Sequence, residues 1–179
     1  MRNKATPGGG AVRLRRHVAP VLIGPVTMGV VIPALVWTGS GMRGVDVPLA
    51  VRVLCAGVGV ALVLGGVAFL AWTVSLFHRK GEGTLSPLDP PRHLVVTGPY
   101  RHVRNPMISG VLAIQLGEAV ALRSPWLGLW FGLFFLANAV YLPLSEERRL
   151  RDRFGDAYDR YRRHVPRWVP RVHAWDPAG

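Results

Sequence analysis

The sequence predicts an all-α, integral membrane helical bundle of about four transmembrane helices, followed by a cytoplasmic amphipathic helix at the C-terminus. Three observations predict it. Half of the 179 residues are apolar and only 18% are charged, a balance foreign to an ordinary soluble domain. Four apolar runs, residues 18–38, 47–77, 107–122 and 126–144, approach or exceed the roughly 20 residues that cross a bilayer. Nineteen of the 22 Lys and Arg residues fall before the first run, between the second and third, or after the fourth. The positive-inside rule then places those three segments in the cytoplasm and counts four crossings.

The elements follow in order. Residues 1–17 hold Pro7, three consecutive glycines and five basic residues and read as a flexible leader. The first run follows this basic stretch as a secretory signal would, but it lacks a small-x-small cleavage pattern and is expected to remain as an anchor. The second run contains Gly57, Gly59, Gly65 and Gly66, small enough to let another membrane helix approach closely. It also holds Cys55, the only cysteine, which excludes an intramolecular disulfide and leaves a packing role. The third run is short and carries Gln115 and Glu118. It fits a tilted span, a re-entrant segment or half of a hairpin with the fourth, and the span is preferred. Residues 18–179 are expected to form one domain.

A net charge of +12 on a soluble chain would suggest nucleic acid. Here the basic residues follow membrane topology instead, and no nucleic-acid partner is expected. The six histidines show no paired spacing with cysteines or carboxylates, so no metal site is expected.

The chemistry concentrates on the cytoplasmic side. Gly81-Glu82-Gly83-Thr84 precedes the proline-rich connector Ser86 to Pro91, which forbids a long helix. Leu94-Val95-Val96 is either a short strand or an apolar foot on the membrane. Gly98-Pro99 marks a turn, and Asn105-Pro106 a second, with Pro106 placed in the first turn of a helix. Arg101 and Arg104 therefore stand near a helix start, where free N–H groups and the dipole favour a carboxylate or another anion. Beyond the fourth run Pro143 is expected to kink the helix. Asn138, Leu142 and Glu146, at i, i+4 and i+8, are expected on one face. Glu146 and Glu147 either serve a site at the membrane boundary or form a solvated helix start paired with Arg149, Arg151 or Arg153. Leu150, Phe154, Tyr158 and Tyr161 make residues 146–164 amphipathic, with Gly155 as an interruption.

Gly98-Pro99-Tyr100, Arg104-Asn105-Pro106, Gly110, Glu146-Glu147, and Phe154-Gly155 through Tyr158, Tyr161 and Val165-Pro166 together resemble the isoprenylcysteine carboxyl methyltransferase family and its phospholipid methyltransferase relatives. The resemblance covers about residues 79–170 and implies a membrane-embedded methyltransferase that uses S-adenosylmethionine. It implies that Gly81, Gly83, Arg92, His93, Leu94, Val95, Tyr100, Arg104, Asn105, Pro106, Met107, Ile108, Glu146 and Glu147 bind the cofactor, with Glu146 pairing its ammonium or ribose. This chain departs from the pattern at Asn105, where many members have His, and at Ile108, where many have Tyr. It also has Leu142 where the prenylcysteine enzymes place an arginine for the substrate carboxylate. The expected acceptor is therefore a lipid or another amphipathic molecule entering from the bilayer, with Asn138 and Leu142 as candidate contacts. No catalytic base is assigned, because holding donor and acceptor in line supplies most of such an acceleration. Two other readings stand beside this one. The first is an NADPH-dependent membrane reductase of the sterol reductase type, whose C-terminal region is similar. The second is a non-catalytic membrane scaffold whose charges bind anionic headgroups.

Overall fold

The computed structural model describes residues 23–80 and 94–177, and among these every regular element is helical. The leader, the Gly81 and Gly83 motif, the proline-rich connector, Arg92 and His93 lie outside the described residues. Helix α1 spans Ile23–Gly39 and α2 spans Leu49–Lys80. A 3₁₀ turn, Gly98–Arg101, leads into α3, Pro106–Leu122. Helix α4 runs through Pro125–Phe154, and α5 covers Asp156–His164.

The stretch Leu49–Leu76 of α2 and the helix α4 are long and apolar enough to cross a membrane. Helices α1 and α3 are shorter; the 17 residues of α3 reach about 25 Å at 1.5 Å per residue. Leu54, Leu64, Leu129, Leu133 and Leu136 point outward and are well exposed, an unfavourable surface for water and a natural one for acyl chains.

The tightest packing in the bundle is the antiparallel seam between α2 and α3. Gly59 meets Gly117 and Gly66 meets Gly110: a Cβ added to Gly59 would lie 2.5 Å from the Gly117 carbonyl oxygen, and one on Gly66 would lie 2.7 Å from that of Gly110. Each glycine pair is seven residues apart, so both fall on one stripe of an α-helix. Gly57 and Gly65 belong to another face, and nothing lies within 4 Å of where their Cβ would be. Of the four glycines expected to permit close approach, two do so.

A tight turn joins α3 to α4. Arg123 closes α3 in the left-handed region at φ 51°. Ser124 Oγ accepts from the Leu127 N–H at 3.4 Å, and Pro125 opens the next helix, a site where its missing N–H costs nothing. The connector between α1 and α2 docks on this turn through Val45 N–H to Arg123 O, 3.0 Å, and Arg123 Nε–H to Val45 O, 3.1 Å.

Two prolines set the geometry of the other helices. In α1 the residues Thr27–Val31 form a π turn, with the Ile32 N–H bonded to Thr27 O. The next donor in that register belongs to Pro33, which has none. The Met28 carbonyl is instead met by Gln115 Nε2–H at 2.8 Å and by Trp130 Nε1–H at 3.3 Å, which fixes α1 against α3 and α4. A backbone acceptor freed in a membrane helix needs such partners. In α4, Pro143 lies within a second π turn, Leu142–Glu146, closed by Glu147 N–H to Leu142 O. The expected kink takes this form. Gly155, at φ 50°, ends α4, and the amphipathic segment is split as its sequence suggested.

Overpacking a tight seam costs about 1–3 kcal/mol. Gly59→Ala and Gly66→Ala should each lower stability by that amount in detergent denaturation, whereas Gly57→Ala and Gly65→Ala should leave it within about 0.5 kcal/mol. Equal losses in both pairs would contradict the seam.

Candidate functional site

A cavity of about 390 Å³ opens where α1 begins, α3 begins and α4 passes through its π turn. Gly24, Pro25 and Met28 of α1, Tyr100 of the 3₁₀ turn, and the stretch Arg104, Asn105, Pro106, Met107 and Ile108 with Val111 line it; Phe134 and Glu146 complete it from α4. Tyr100, Arg104, Asn105, Pro106, Met107, Ile108 and Glu146, all singled out from sequence, thus meet around one space.

The π turn explains how Glu146 reaches it. Phe134 and Glu146 are twelve positions apart, and an uninterrupted α-helix would turn them about 120° away from each other. A π turn absorbs one extra residue, so the twelve steps count as about eleven, close to three turns. For the same reason the expected shared face is broken. Asn138 does not line the cavity and donates Nδ2–H to Phe134 O within its own helix at 2.8 Å. Leu142 is buried in the bundle at 1% exposure and does not line the cavity either.

Glu147 takes a different environment from its neighbour. It is buried, and its carboxylate accepts Arg167 Nε–H at 2.7 Å and Nη2–H at 2.9 Å in a two-point fork. Arg104 Nη1 stands 2.9 Å from Glu147 Oε1 on the other side. Such bidentate pairs combine charge with fixed geometry. The expectation of pairing with Arg149, Arg151 or Arg153 does not hold for Glu147, because the π turn rotates it inward, away from the arginines that follow.

Arg104 is held where it can serve both the ion pair and the cavity. Its N–H donates to Pro166 O at 2.8 Å. Past Pro166 the tail runs back along the segment before α3, with Arg171 N–H to His102 O at 3.0 Å and Trp175 N–H to Arg101 O at 2.9 Å. Arg104 Nε and Asn105 Nδ2 are buried donors with no partner among the described residues, and both residues line the cavity. A buried donor left unpaired costs roughly 1–3 kcal/mol, so two uncompensated polar groups sit within the residues of the cavity wall.

Below this, Tyr158, Tyr161 and Val165 form a buried cluster on which Leu94, Val96, Leu150, Phe154 and Trp175 pack. Leu94-Val95-Val96 is irregular rather than a strand, and Leu94 and Val95 are not on the cavity wall. Tyr161 donates its hydroxyl to Tyr100 O at 2.8 Å, tying this cluster to the site. Burial, then the nearby Glu147 carboxylate, pushes Tyr158 up to about 12 against the pull of Arg104. Burial and then Glu146 raise Tyr100. Both phenols stay neutral at physiological pH, and neither is poised to act as a base.

Sequence reading missed Gly24, Pro25, Met28, Val111 and Phe134, and it missed Arg167 as the partner of Glu147. Arg167 lies twenty positions from Glu147, beyond any helical spacing. For α1, the signal was Pro33, which marks the helix whose backbone is rearranged.

Removing one partner of a buried ion pair costs about 3–5 kcal/mol. Glu147→Gln and Arg167→Leu should each lower stability by that order and be strongly non-additive in a double-mutant cycle, while Glu146→Gln should change it by less than about 1 kcal/mol. Equal losses at the two glutamates would contradict this division.

Comparison with protein-family models matches residues 54–157 to the phospholipid methyltransferase family. The match takes in α3 and α4 with most of α2 and ends just before Tyr158. No curated protein matches the chain. With more than half of its length matched, including the cavity's Tyr100, Asn105 and Glu146, the chain belongs to the phospholipid methyltransferase family.

Proposed function

We propose that this membrane protein transfers a methyl group from S-adenosylmethionine to a lipophilic or amphipathic acceptor at the cytoplasmic boundary of the bilayer. The observation that carries the reading is the composition of the cavity wall. A carboxylate, Glu146, and the polar residues Arg104 and Asn105 border the same space as the apolar Met28, Ile108, Val111 and Phe134. S-adenosylmethionine carries an ammonium, a sulfonium, a carboxylate and an adenine, and each finds a complement there. The volume falls within the range of small-molecule sites.

The cofactor supplies an activated methyl group when bound. Glu146 holds positive charge near it. Arg104 and Asn105 donate to its acceptors, and Glu147 positions Arg104 rather than touching the ligand. Phe134, Met28 and Val111 exclude water and leave an apolar approach for the acceptor. With both phenols neutral, the residues act by orienting the two reactants, which by itself accounts for large accelerations. Asn138 and Leu142, set back from the wall, shape this approach only from behind. Gly81, Gly83, Arg92 and His93 remain assigned to the cofactor by the family pattern. The absence of an arginine at Leu142 disfavours a carboxylate acceptor and favours a lipid.

The positive-inside count supports four crossings, with α1 and α3 accommodated by tilt or local thinning of the bilayer and with the cavity on the cytoplasmic side. The reductase and scaffold readings are not favoured, since the family is one of methyltransferases.

Calorimetry on the detergent-purified protein tests this reading. S-adenosylmethionine and S-adenosylhomocysteine should bind in the micromolar range, and Glu146→Gln should weaken both about ten-fold, about 1.4 kcal/mol. Binding of NADPH alone, or unchanged affinity in the variant, would overturn it.

A further inference from the structure

The tail beyond Glu147's partner Arg167 makes an excursion that the site does not require. Its Trp168 carbonyl accepts from Ser109 Oγ at 2.9 Å, one turn into α3. The Trp168 ring reaches Phe135 of α4, with centroids 5.4 Å apart. Phe135 belongs to the apolar part of α4, nine residues before Leu144 and so about 14 Å further along the helix axis. The tail therefore descends beside the apolar stretch of α4 before returning to His102 and Arg101.

At this descent the side chains are of an unusual kind. Val169 is 74% exposed and Val172 is 87% exposed, the highest value among the large apolar side chains described. Between them Arg171 donates Nη1–H to His164 O at 2.9 Å, which fixes the tail to the end of α5. Arg160 and Arg163 on α5 are exposed, and neither they nor Arg171 makes an ion pair among the described residues. A bare valine next to an aromatic ring that packs beside α4, with arginines nearby in the chain that form no ion pair among the described residues, matches the two layers of a leaflet.

We propose that residues 168–172 form a membrane-dipping loop, with Val169 in the acyl region, Trp168 at the interface and Arg160, Arg163 and Arg171 on the phosphates of anionic lipid. Trp favours that depth, and basic residues at the surface contribute on the order of 1 kcal/mol each when the leaflet is anionic. The loop is anchored on one side by the Arg167 fork to Glu147 and on the other by Arg171 and Trp175, which holds its ends, and contact of the arginines with anionic phosphates draws its tip into the leaflet. This proposal does not depend on the methyl-transfer reading.

The test uses the full chain with Cys55→Ala, in which Val169→Cys, Val172→Cys or Ala157→Cys carries a nitroxide. The protein is reconstituted into phosphatidylcholine vesicles with and without phosphatidylglycerol. The label at 169 should relax preferentially with oxygen, and the label at the exposed 157 with an aqueous nickel chelate. Removing phosphatidylglycerol should shift the labels at 169 and 172 toward the aqueous phase. A label at 169 as open to the chelate as that at 157 would overturn the insertion, and depths indifferent to phosphatidylglycerol would overturn the arginine contacts. All three substituted positions are exposed, so loss of folding is not expected to obscure the reading.

Discussion

The Glu147 carboxylate, gripped by Arg167 and faced by Arg104, is the contact on which the end of the bundle that holds the cavity depends. It joins three parts of the chain distant in sequence: the segment that opens α3, the end of α4, and the C-terminal tail. Removing ions from water is costly, and a buried pair repays that cost only when its geometry is good and its hydrogen bonds are met. The two-point fork from Arg167 meets that requirement. Adjacent glutamates thereby acquire separate environments, one closed in an ion pair and the other on the cavity wall.

Proline shapes the helices around this centre by withholding donors. Pro33 leaves Met28 O to Gln115 and Trp130, so a gap in the α1 ladder becomes a cross-link among three helices. Pro143 sits in the π turn that rotates Glu146 onto the face of Phe134 and Glu147 into the ion pair. Both π turns border the cavity, in keeping with the tendency of such turns to mark functional positions. The glycine seam between α2 and α3 supplies the rigid wall against which these adjustments are made.

Much of the arrangement was legible in the chain. Hydropathy marked the four apolar helices, Pro106 and Gly155 marked ends, and the family motifs gathered Tyr100, Arg104, Asn105 and Glu146 before any fold was known. What escaped depends on phase and distance. Asn138 and Leu142 were placed with Glu146 by a 3.6-residue period, and the inserted residue of a π turn shifts that phase by one position. Gly57 and Gly65 were indistinguishable from Gly59 and Gly66 until α3 showed which stripe it covers. Arg167 pairs across the fold with no local spacing to reveal it, and the contribution of α1 to the cavity comes from a helix outside the family match.

The central claim is that the ligand occupies the space between Glu146 and the donors of Arg104 and Asn105, while Glu147 stays in its ion pair. An experimental structure with bound S-adenosylhomocysteine tests it most directly. The account predicts ligand density bordered by Tyr100, Asn105, Phe134 and Glu146, with Glu147 still bidentate to Arg167. Density elsewhere on the bundle, or Glu147 turned away from Arg167 to contact the ligand, would contradict it.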